Sequence, residues 1–426
     1  MQPNHSAPNI LLTNTLRLLI LGMGAILLAS CFTPLHVHFD SIRYFNIKDC
    51  IEFGCDPDSE VAKDYLPYGY TGLLITLSKL GILNAFTIVF INCLYLFAAL
   101  YFIKKIFEGL VHPVYFLALA LFNWTIIKFA MHPLSEMQYL FFSSASLYCF
   151  YLYTQKKSYG ALALSFVFAV GTVLTRTVGI SLFPALILGI LWQYRKELRA
   201  IIIKNKILVV VLLLAAVGLI LFAKQLKIVD YTSLLKEPLE KGLGSFIGEN
   251  LKNHFTELAE VFVNLPANKV EGYVPGGMGK ALFIAMGVVC LAWILMSLFS
   301  SKSRIPFFIR VYLAFYIFII FNWPYYDPRF WVPVLPLLVI LVLRTPINWS
   351  SVWKLIGKLY LAVYLVLGLA AAAYALYIGF DKERFARNQA AGDYRNEYEM
   401  HFFGKTLSDT ATRVDQNVVE ILKKYD

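Results

Sequence analysis

Residues 14–34, NTLRLLILGMGAILLASCFTP, decide the fold class, because they form a long apolar run with Arg17 as its only charged residue. About 20 apolar residues in a helix are enough to cross the hydrocarbon core of a bilayer. Similar runs recur as far as residue 378. Of the 426 residues, 59% are hydrophobic and only 15% are charged, whereas about 25% are charged in soluble domains. The sequence therefore predicts an all-α polytopic membrane protein.

The apolar runs predict about eleven transmembrane helices. Several runs are short, and tilted pairs or partly re-entrant segments are also compatible with them. The residues before the first run include no Lys and no Arg, and no small-residue cleavage site follows the run, so we expect a retained helix rather than a removed signal peptide. The expected spans are residues 14–34, 84–103, 112–130, 136–154, 159–174, 178–194, 206–223, 280–299, 305–322, 332–344 and 355–378.

Lys and Arg in the short loops predict the orientation of the chain. One set of loops is strongly basic, and its only acidic residues are Glu108 and Glu197. The alternate set begins with residues 35–68, in which acidic residues outnumber basic ones. We therefore expect a cytoplasmic N-terminus and an external C-terminus, with the protein in a bacterial inner membrane. The net charge of +11 then lies mainly on the cytoplasmic rim and requires no nucleic-acid partner.

The longer segments outside the apolar runs organise the rest of the chain. Residues 1–378 form the expected transmembrane module, whose two long outer segments are residues 35–83 and 225–279. The first of these combines a helix-like stretch from Asp40 to about Glu52 with YLPYGYTGLLITLSKLG (65–81), an amphipathic stretch typical of a helix lying in the membrane interface. Residues 379–426 form a short external tail, which is too small to fold alone around a core.

Two groups of residues in the first outer segment have two interpretations each. Cys50 and Cys55 form a disulfide if this segment faces an oxidising compartment, and otherwise they are free thiols. His36, His38 and Asp40 alternate along the chain, so an extended backbone directs all three to one side, where they could hold a divalent metal. Packing of the two histidines in the interface explains the same pattern. The sequence requires no cofactor.

Ionisable residues lie at the ends of four apolar runs that this topology places on the outer face. The segments are HVHFDSIRYF (36–45), MHPLSE (131–136), LTRTVG (174–179) and WPYYDPRFWVP (323–333). Charged groups beside a bilayer are costly unless they are paired, hydrated or used in function. The four segments therefore predict one site at the outer leaflet. It would contain Asp40, Arg43, Tyr44, His132, Glu136, Arg176, Tyr325, Asp327 and Arg329.

The transfer of a sugar from a polyprenyl phosphate has chemical requirements that this set meets. The acceptor must lose a proton, which an Asp can take if its pKa is raised or if the proton is lost late. The leaving phosphate needs cations, and the planar fork of Arg can bind two of its oxygens. The pocket must also adjoin the lipid, because the donor's tail remains in the bilayer.

The same segments resemble the clan C glycosyltransferases, in particular the protein O-mannosyltransferase and aminoarabinose transferase group. DSIRYF (40–45) is similar to their D-x-x-R-Y after the first span, and residues 65–81 resemble their proline-tyrosine segment. HPLSE (132–136) is similar to the acidic element after their third span. RTVGISLFPALILGILW (176–192) and DPRFWVPVLPLL (327–338) resemble later motifs of the group. The order and spacing agree over about residues 10–345.

The resemblance implies an inverting transferase that uses a lipid-phosphate sugar, with its site in the outer loops. It makes Asp40 the candidate base or metal-binding acid, Glu136 a second acid and Arg329 a phosphate or donor contact. The chain departs from the group twice. The aminoarabinose enzymes have a phosphate-binding Lys before the prolines, whereas the candidate phosphate contact here, Lys63, lies two residues before Tyr65. Phe330 replaces a Tyr of the group.

Each candidate also has a structural interpretation. Asp40 can cap a helix that begins at Ser41, and Arg43 can pair with Asp40 or with a lipid headgroup instead of donor phosphate. Glu136 suits the first turn of a helix. Arg176 can form a structural ion pair, and Asp327 can pair locally or open a turn.

Two other functions remain alternatives to a transferase that moves a hexosyl or pentosyl group to an acceptor glycan, lipid or protein. The first is a transporter or flippase for a lipid-linked sugar. It predicts two related halves with broken helices and charges at mid-membrane, whereas the charges here cluster at the outer helix ends and the halves are unrelated. The second is a membrane scaffold whose outer loops bind a partner, and it predicts no requirement for Asp40.

Overall fold

The computed structural model describes residues 10–196, 240, 242–274, 277–344, 350–407 and 413–426. All regular elements in these residues are helical, and no strand occurs among them. The expected span at residues 206–223 and much of the outer segment 225–279 lie outside the described residues. The all-helical fold class is thus as expected for the part that is described.

The described helices up to residue 196 begin with the first apolar run and include both amphipathic stretches of the first outer segment. They are α1 (Ile10–Ala29), α2 (Phe39–Phe53), α3 (Tyr68–Lys79), α4 (Ala85–Ile106), α5 (Pro113–Leu121), α6 (Trp124–Ala130), α7 (Glu136–Lys156), α8 (Tyr159–Thr175) and α9 (Leu182–Gln193).

The described helices after residue 240 include three in the C-terminal tail. They are α10 (Leu243–Val263), α11 (Ala267–Glu271), α12 (Met278–Phe299), α13 (Phe307–Phe321), α14 (Leu335–Leu343), α15 (Ser351–Gly379), α16 (Lys382–Asn388), α17 (Arg395–Phe403) and α18 (Gln416–Tyr425). The sequence did not predict α10 or α11, which lie in the described part of the second outer segment.

Four described helical stretches are long and apolar enough to cross a membrane: Leu12–Phe32, α4, α12 and α15. A fifth results if α5 and α6, which meet at a bend of 62°, form one broken span. These helices indicate an integral membrane protein, but they do not show the expected count of about eleven spans. The run at 332–344 illustrates why, because α14 has nine residues and is only about 14 Å long. Its residues Leu335–Leu341 are buried in the core.

Helix α7 packs against α4 and α8 and leads to the polar end of the molecule. Ser146 and Ser165 join α7 and α8 reciprocally, since each hydroxyl donates to the other residue's carbonyl oxygen at 2.9 Å. Such hydrogen bonds, made by small side chains, allow helices to approach closely in an apolar environment. The N-terminus of α7 and the C-terminus of α8 thereby lie side by side and bring Glu136 close to Arg176.

Two glycines permit the close packing of the backbone around this polar end. A Cβ atom on Gly69, in α3, would lie 2.5 Å from the carbonyl oxygen of Leu174 at the end of α8. A Cβ atom on Gly179 would lie 2.7 Å from the carbonyl carbon of Thr172. Because no side chain fits at either position, α3 and the turn Thr177–Ser181 can lie directly against α8.

Candidate functional site

A cavity of about 570 Å³ opens where the first outer segment meets the ends of α8 and α13. Charged residues line part of its wall, and aliphatic and aromatic residues line the rest. Its lining residues are Phe39, Asp40, Arg43, Tyr44, Tyr65, Leu66, Pro67, Ser135, Arg176, Thr177, Val178, Ile180, Ile319, Ile320, Trp323, Tyr325, Tyr326, Asp327, Arg329 and Phe330. Residues from all four predicted polar segments therefore meet at one cavity.

Asp40 lies in the first turn of α2, where it contacts two arginines. Its carboxylate oxygens lie 2.5 Å from Nη2 of Arg329 and 2.9 Å from Nη1 of Arg43. The helix begins at Phe39, and its N-cap is His38, whose Nδ1 accepts a hydrogen bond from the Asp40 amide at 3.3 Å. The interpretation of Asp40 as the cap of a helix beginning at Ser41 is therefore wrong, and its carboxylate is directed to the arginines instead.

These two arginines determine the protonation of Asp40. Burial raises the pKa of Asp40. The positive charges of Arg329 and Arg43 outweigh this effect, so the pKa of Asp40 is lowered overall. Asp40 is therefore an ionised carboxylate at neutral pH. An Asp can act as the base if its pKa is raised or if the acceptor proton is lost late. Because the pKa of Asp40 is not raised, Asp40 can act as the base only if the acceptor proton is lost late.

Asp64 holds the Arg43 guanidinium from the side opposite Asp40. Nε and Nη2 of Arg43 donate to the two oxygens of Asp64 at 2.8 and 2.7 Å. The ring of Tyr65 lies 4.6 Å from the guanidinium carbon. Sequence reasoning missed Asp64, although it directly precedes the Tyr65-Leu66-Pro67 segment that was noted. Arg43 thus pairs with Asp40, as its structural interpretation predicted, and in addition with an acid of its own outer segment.

Glu136 and Arg176 form a second, deeper ion pair. The Glu136 carboxylate accepts from Nη1 of Arg176, and the same oxygen lies 3.9 Å from Nε of Arg329. Glu136 begins α7 and does not line the cavity, whereas Arg176 does. The second oxygen of Glu136 is buried and has no hydrogen-bond partner among the described residues. Arg176 thus forms the ion pair of its structural interpretation, and it also lines the cavity.

Carboxylates and guanidiniums alternate through the whole site. The contacts connect Asp64, Arg43, Asp40, Arg329, Glu136 and Arg176 in that order, and Asp327 branches from Arg329 at 3.1 Å. Four carboxylates thus face three guanidiniums. The ring of Phe330 lies 5.6 Å from the guanidinium carbon of Arg176 and 5.4 Å from that of Arg329. This aromatic face stabilises both cations at the cavity wall.

The loop that carries Arg329 is fixed from α10. His254 Nε2 donates to the carbonyl oxygen of Trp323 at 2.9 Å, and its Nδ1 lies 2.8 Å from Glu257. Trp331 Nε1 donates to the same Glu257 carboxylate at 3.1 Å. The His254–Glu257 pair therefore holds both ends of the loop. Sequence reasoning missed it, because α10 lies in a segment with no recognisable motif.

Within this loop, Asp327 starts the turn Pro328–Trp331 by accepting from the Arg329 amide at 2.9 Å. It also pairs with the Arg329 guanidinium, so the local role foreseen for it is present.

His38 Nε2 lies 3.9 Å from Asp327. Burial and the charge of Arg329 lower the pKa of His38, so the ring is neutral at pH 7. Tyr325 and Tyr326 line the cavity on the exposed side of the loop.

Three predicted residues lie away from the cavity. Lys63 is 61% exposed and pairs with Asp58 at 2.9 Å, so the structure does not bring it to the other cations. His132 is buried, and its Nδ1 lies 2.8 Å from the carbonyl oxygen of Lys128. His36 is buried beside Thr33, whose hydroxyl lies 3.0 Å from its Nε2.

Tyr44 reaches the cavity wall, where its hydroxyl donates to the Ser135 hydroxyl at 3.1 Å. A disulfide joins Cys50, in the last turn of α2, to Cys55, two residues beyond the end of that helix. In the described part of the chain, no three His, Cys, Asp or Glu side chains meet in an arrangement that could hold a metal ion. His36, His38 and Asp40 make the separate contacts given above.

No family model, curated protein or solved structure matches this chain. Support for a function therefore comes from the residues of the cavity and their chemistry. The observation with the clearest chemical content is an ionised Asp40 held between Arg43 and Arg329 at the wall of a cavity that is partly apolar.

Proposed function

We propose that the protein is a membrane glycosyltransferase that moves a sugar from a polyprenyl-phosphate donor to an acceptor, resembling clan C enzymes of the protein O-mannosyltransferase and aminoarabinose transferase group. The observation that carries this proposal is the contact of Asp40 with two arginines at the cavity wall. A carboxylate that can take the acceptor proton thereby lies next to cations that can bind the leaving phosphate, as direct displacement at the sugar requires.

The composition of the cavity supports a donor that is part lipid and part anion. Arg43, Arg176 and Arg329 lie on its charged wall, and each presents a planar set of donors suited to phosphate oxygens. Ile180, Ile319 and Ile320 lie on its apolar wall, and Ile180 is exposed. An isoprenoid tail can lie along such a wall while its phosphate remains among the arginines. This division favours a lipid-phosphate sugar over a fully water-soluble donor.

The proposed topology has about eleven spans, a cytoplasmic N-terminus and the site outside, in a bacterial inner membrane. Contacts between the C-terminal tail and the segment after α1 support the proposal that both lie on the same side of the membrane. The proposed odd number of spans is consistent with these contacts. The basic loops described above support a cytoplasmic N-terminus, because loops rich in Lys and Arg favour the cytoplasmic side.

In the proposed reaction, an acceptor hydroxyl attacks the anomeric carbon as the bond from that carbon to the donor phosphate oxygen breaks. The configuration is inverted, and the acceptor proton passes to Asp40 late in the step, in keeping with its low basicity. As Asp40 is neutralised, its attraction for Arg329 falls. Arg329 can then bind the departing phosphate together with Arg176. Proton transfer and stabilisation of the leaving group are coupled through one guanidinium.

The test compares the wild type with Asp40→Asn in nanodiscs, using radiolabelled polyprenyl-phosphate sugars and cell-envelope extract as acceptor. Loss of a general base typically lowers the rate by about 10²- to 10⁴-fold, and we expect a loss of that size with the mutant still folded. Asp58→Asn is the matched control, because Asp58 is an exposed acid in the same outer segment. It should transfer sugar at the wild-type rate.

Two results would count against the proposal. Equal transfer by wild type and Asp40→Asn would exclude Asp40 as the base. Binding of one lipid-linked sugar without transfer to any acceptor, followed by its movement between leaflets, would favour a flippase instead.

A further inference from the structure

The backbone over residues 34–38 forms no helix or strand, and it leads to α2 and Asp40. A segment outside helices and sheets has N–H and C=O groups that need partners elsewhere, and leaving them unpaired in a buried position is costly. Leu35 and Val37 are both fully buried. The source of their hydrogen bonds therefore determines what holds this segment in place.

All four of these backbone groups are bound by side chains of the C-terminal tail. The Leu35 amide donates to Asp426 Oδ1 at 2.6 Å, and its carbonyl oxygen accepts from the Tyr398 hydroxyl. The Val37 amide donates to the same Tyr398 hydroxyl at 2.9 Å, and its carbonyl oxygen accepts from Gln389 Nε2 at 3.0 Å. Tyr398 alone thus connects two residues of the segment.

Packing reinforces these hydrogen bonds. His36, which lies between the two bonded residues, packs edge-on against Phe385 with ring centroids 4.8 Å apart. Phe385 in turn packs against Tyr398 at 5.0 Å, and both rings are completely buried. The tail therefore packs around the segment before Asp40, and both belong to the main hydrophobic core.

A second contact ties the end of the tail to α2. The ring of Tyr425 stacks on Phe45 with centroids 4.7 Å apart. Its hydroxyl accepts from Lys48 at 2.8 Å, and Lys48 is fully buried. Glu52 also pairs with Lys48, at 2.6 Å. The tail thus holds both the approach to α2 and the face of α2 beyond Asp40.

We propose that residues 381–407 and 413–426 are a positioning element of the site, which fixes Asp40 against Arg329 through Tyr398 and Gln389. This inference rests on the proposed function where it concerns sugar transfer, but the placement of Asp40 can be measured separately. A shift of about 1 Å in a catalytic group can lower a rate by about 10²-fold. Tyr398 does not reach the cavity wall, so its role is to position Asp40 and not to contact substrate.

The experiment uses the full-length protein in nanodiscs with Tyr398→Phe, which removes only the hydroxyl. Gln389→Met is a second variant that removes a different hydrogen bond and keeps the side-chain length. Tyr374→Phe is the control, because Tyr374 is an exposed residue of α15. Hydrogen exchange followed by mass spectrometry measures the protection of peptides that contain Leu35 and Val37. We expect exchange about five- to tenfold faster in both variants, as the loss of about 1 kcal/mol predicts, and no change in the control.

The kinetic measurement separates the effect of each variant on kcat from its effect on KM. We expect kcat for sugar transfer to fall about 10- to 100-fold, with little change in the KM of the donor, because the tail does not line the cavity. The acidic limb of the pH profile should also move to higher pH, since Asp40 loses part of its contact with Arg329.

The outcomes separate this inference from the proposed function. Unchanged exchange at Leu35 and Val37 in both variants overturns the positioning role, whatever the activity. Faster exchange in a variant, together with wild-type protein that transfers no sugar, supports positioning and overturns the transferase. Faster exchange with an unchanged kcat shows that the tail does not position Asp40 for reaction.

Discussion

Asp40 and Glu136 are both carboxylates bound by arginine, but they lie on different sides of the cavity wall. Asp40 lines the cavity, its side chain is 16% exposed, and each of its two arginines has another acidic partner. Glu136 lies behind the wall with a side chain that is 1% exposed, and it is the acid that pairs with Arg176. Exposure and shared partners suit Asp40 to bind a proton during reaction, whereas Glu136 is suited to hold Arg176 in place.

The largest expected effect that tests this difference is on stability. Glu136→Gln leaves Arg176 as a buried charge without its acid, and breaking a buried pair in this way typically costs about 3–5 kcal/mol. Asp40→Asn should cost much less, because Arg43 keeps Asp64 and Arg329 keeps Asp327. Thermal unfolding of the two variants in nanodiscs measures both effects, with Glu108→Gln as an exposed control. Equal losses for the two variants would contradict the distinction between a reactive and a supporting acid.

The next effect concerns pH. A carboxylate whose pKa is lowered in the folded state contributes stability that is present above its unfolded pKa, about 3.9, and is lost as the pH falls through the folded pKa. The acidic limb of kcat/KM in the wild type should therefore lie below the usual range for an Asp. Arg329→Gln removes the first cation that lowers the pKa of Asp40, and we expect the limb to move to higher pH.

The pH profile of each variant provides this measurement, and Arg384→Gln is the control because Arg384 is an exposed arginine of the tail. An acidic limb that does not move in Arg329→Gln would mean that Asp40 does not titrate in the reaction. Glu136→Gln should leave the limb in place, since Glu136 does not line the cavity.

The helical fold and the grouping of polar segments could be foreseen, because both follow from local patterns. Apolar runs predict helices, and the charged ends of four runs predicted that Asp40, Glu136, Arg176 and Arg329 belong together. The N-cap of α2 could not be foreseen with the same certainty, because His38 and Asp40 can both cap a helix. Hydropathy alone also does not determine the number of spans, because a short buried helix such as α14 is as apolar as a span.

The contacts missed from the sequence are all long-range or between residues with no motif. Tyr398 is bonded to Leu35 across 363 positions of the chain, and His254 holds a loop that begins 69 positions later. No periodicity or spacing encodes such contacts. Lys63, a candidate phosphate contact near the prolines, is an exposed residue paired with Asp58, and its distance from the other cations also could not be read from the sequence.

The smallest expected effect comes from Asp64, the acid at the outer end of the alternating series. Asp64→Asn keeps one carbonyl oxygen that can accept from Arg43, and Arg43 also retains Asp40, so we expect a loss of stability of about 1 kcal/mol. Sugar transfer should fall by less than tenfold, because Asp40 keeps its contact with Arg329. Thermal unfolding and transfer assays against Asp58→Asn measure both quantities. A loss as large as that of Asp40→Asn would instead make Asp64 and Arg43 the reactive part of the site, and Asp40 would then be a supporting acid like Glu136.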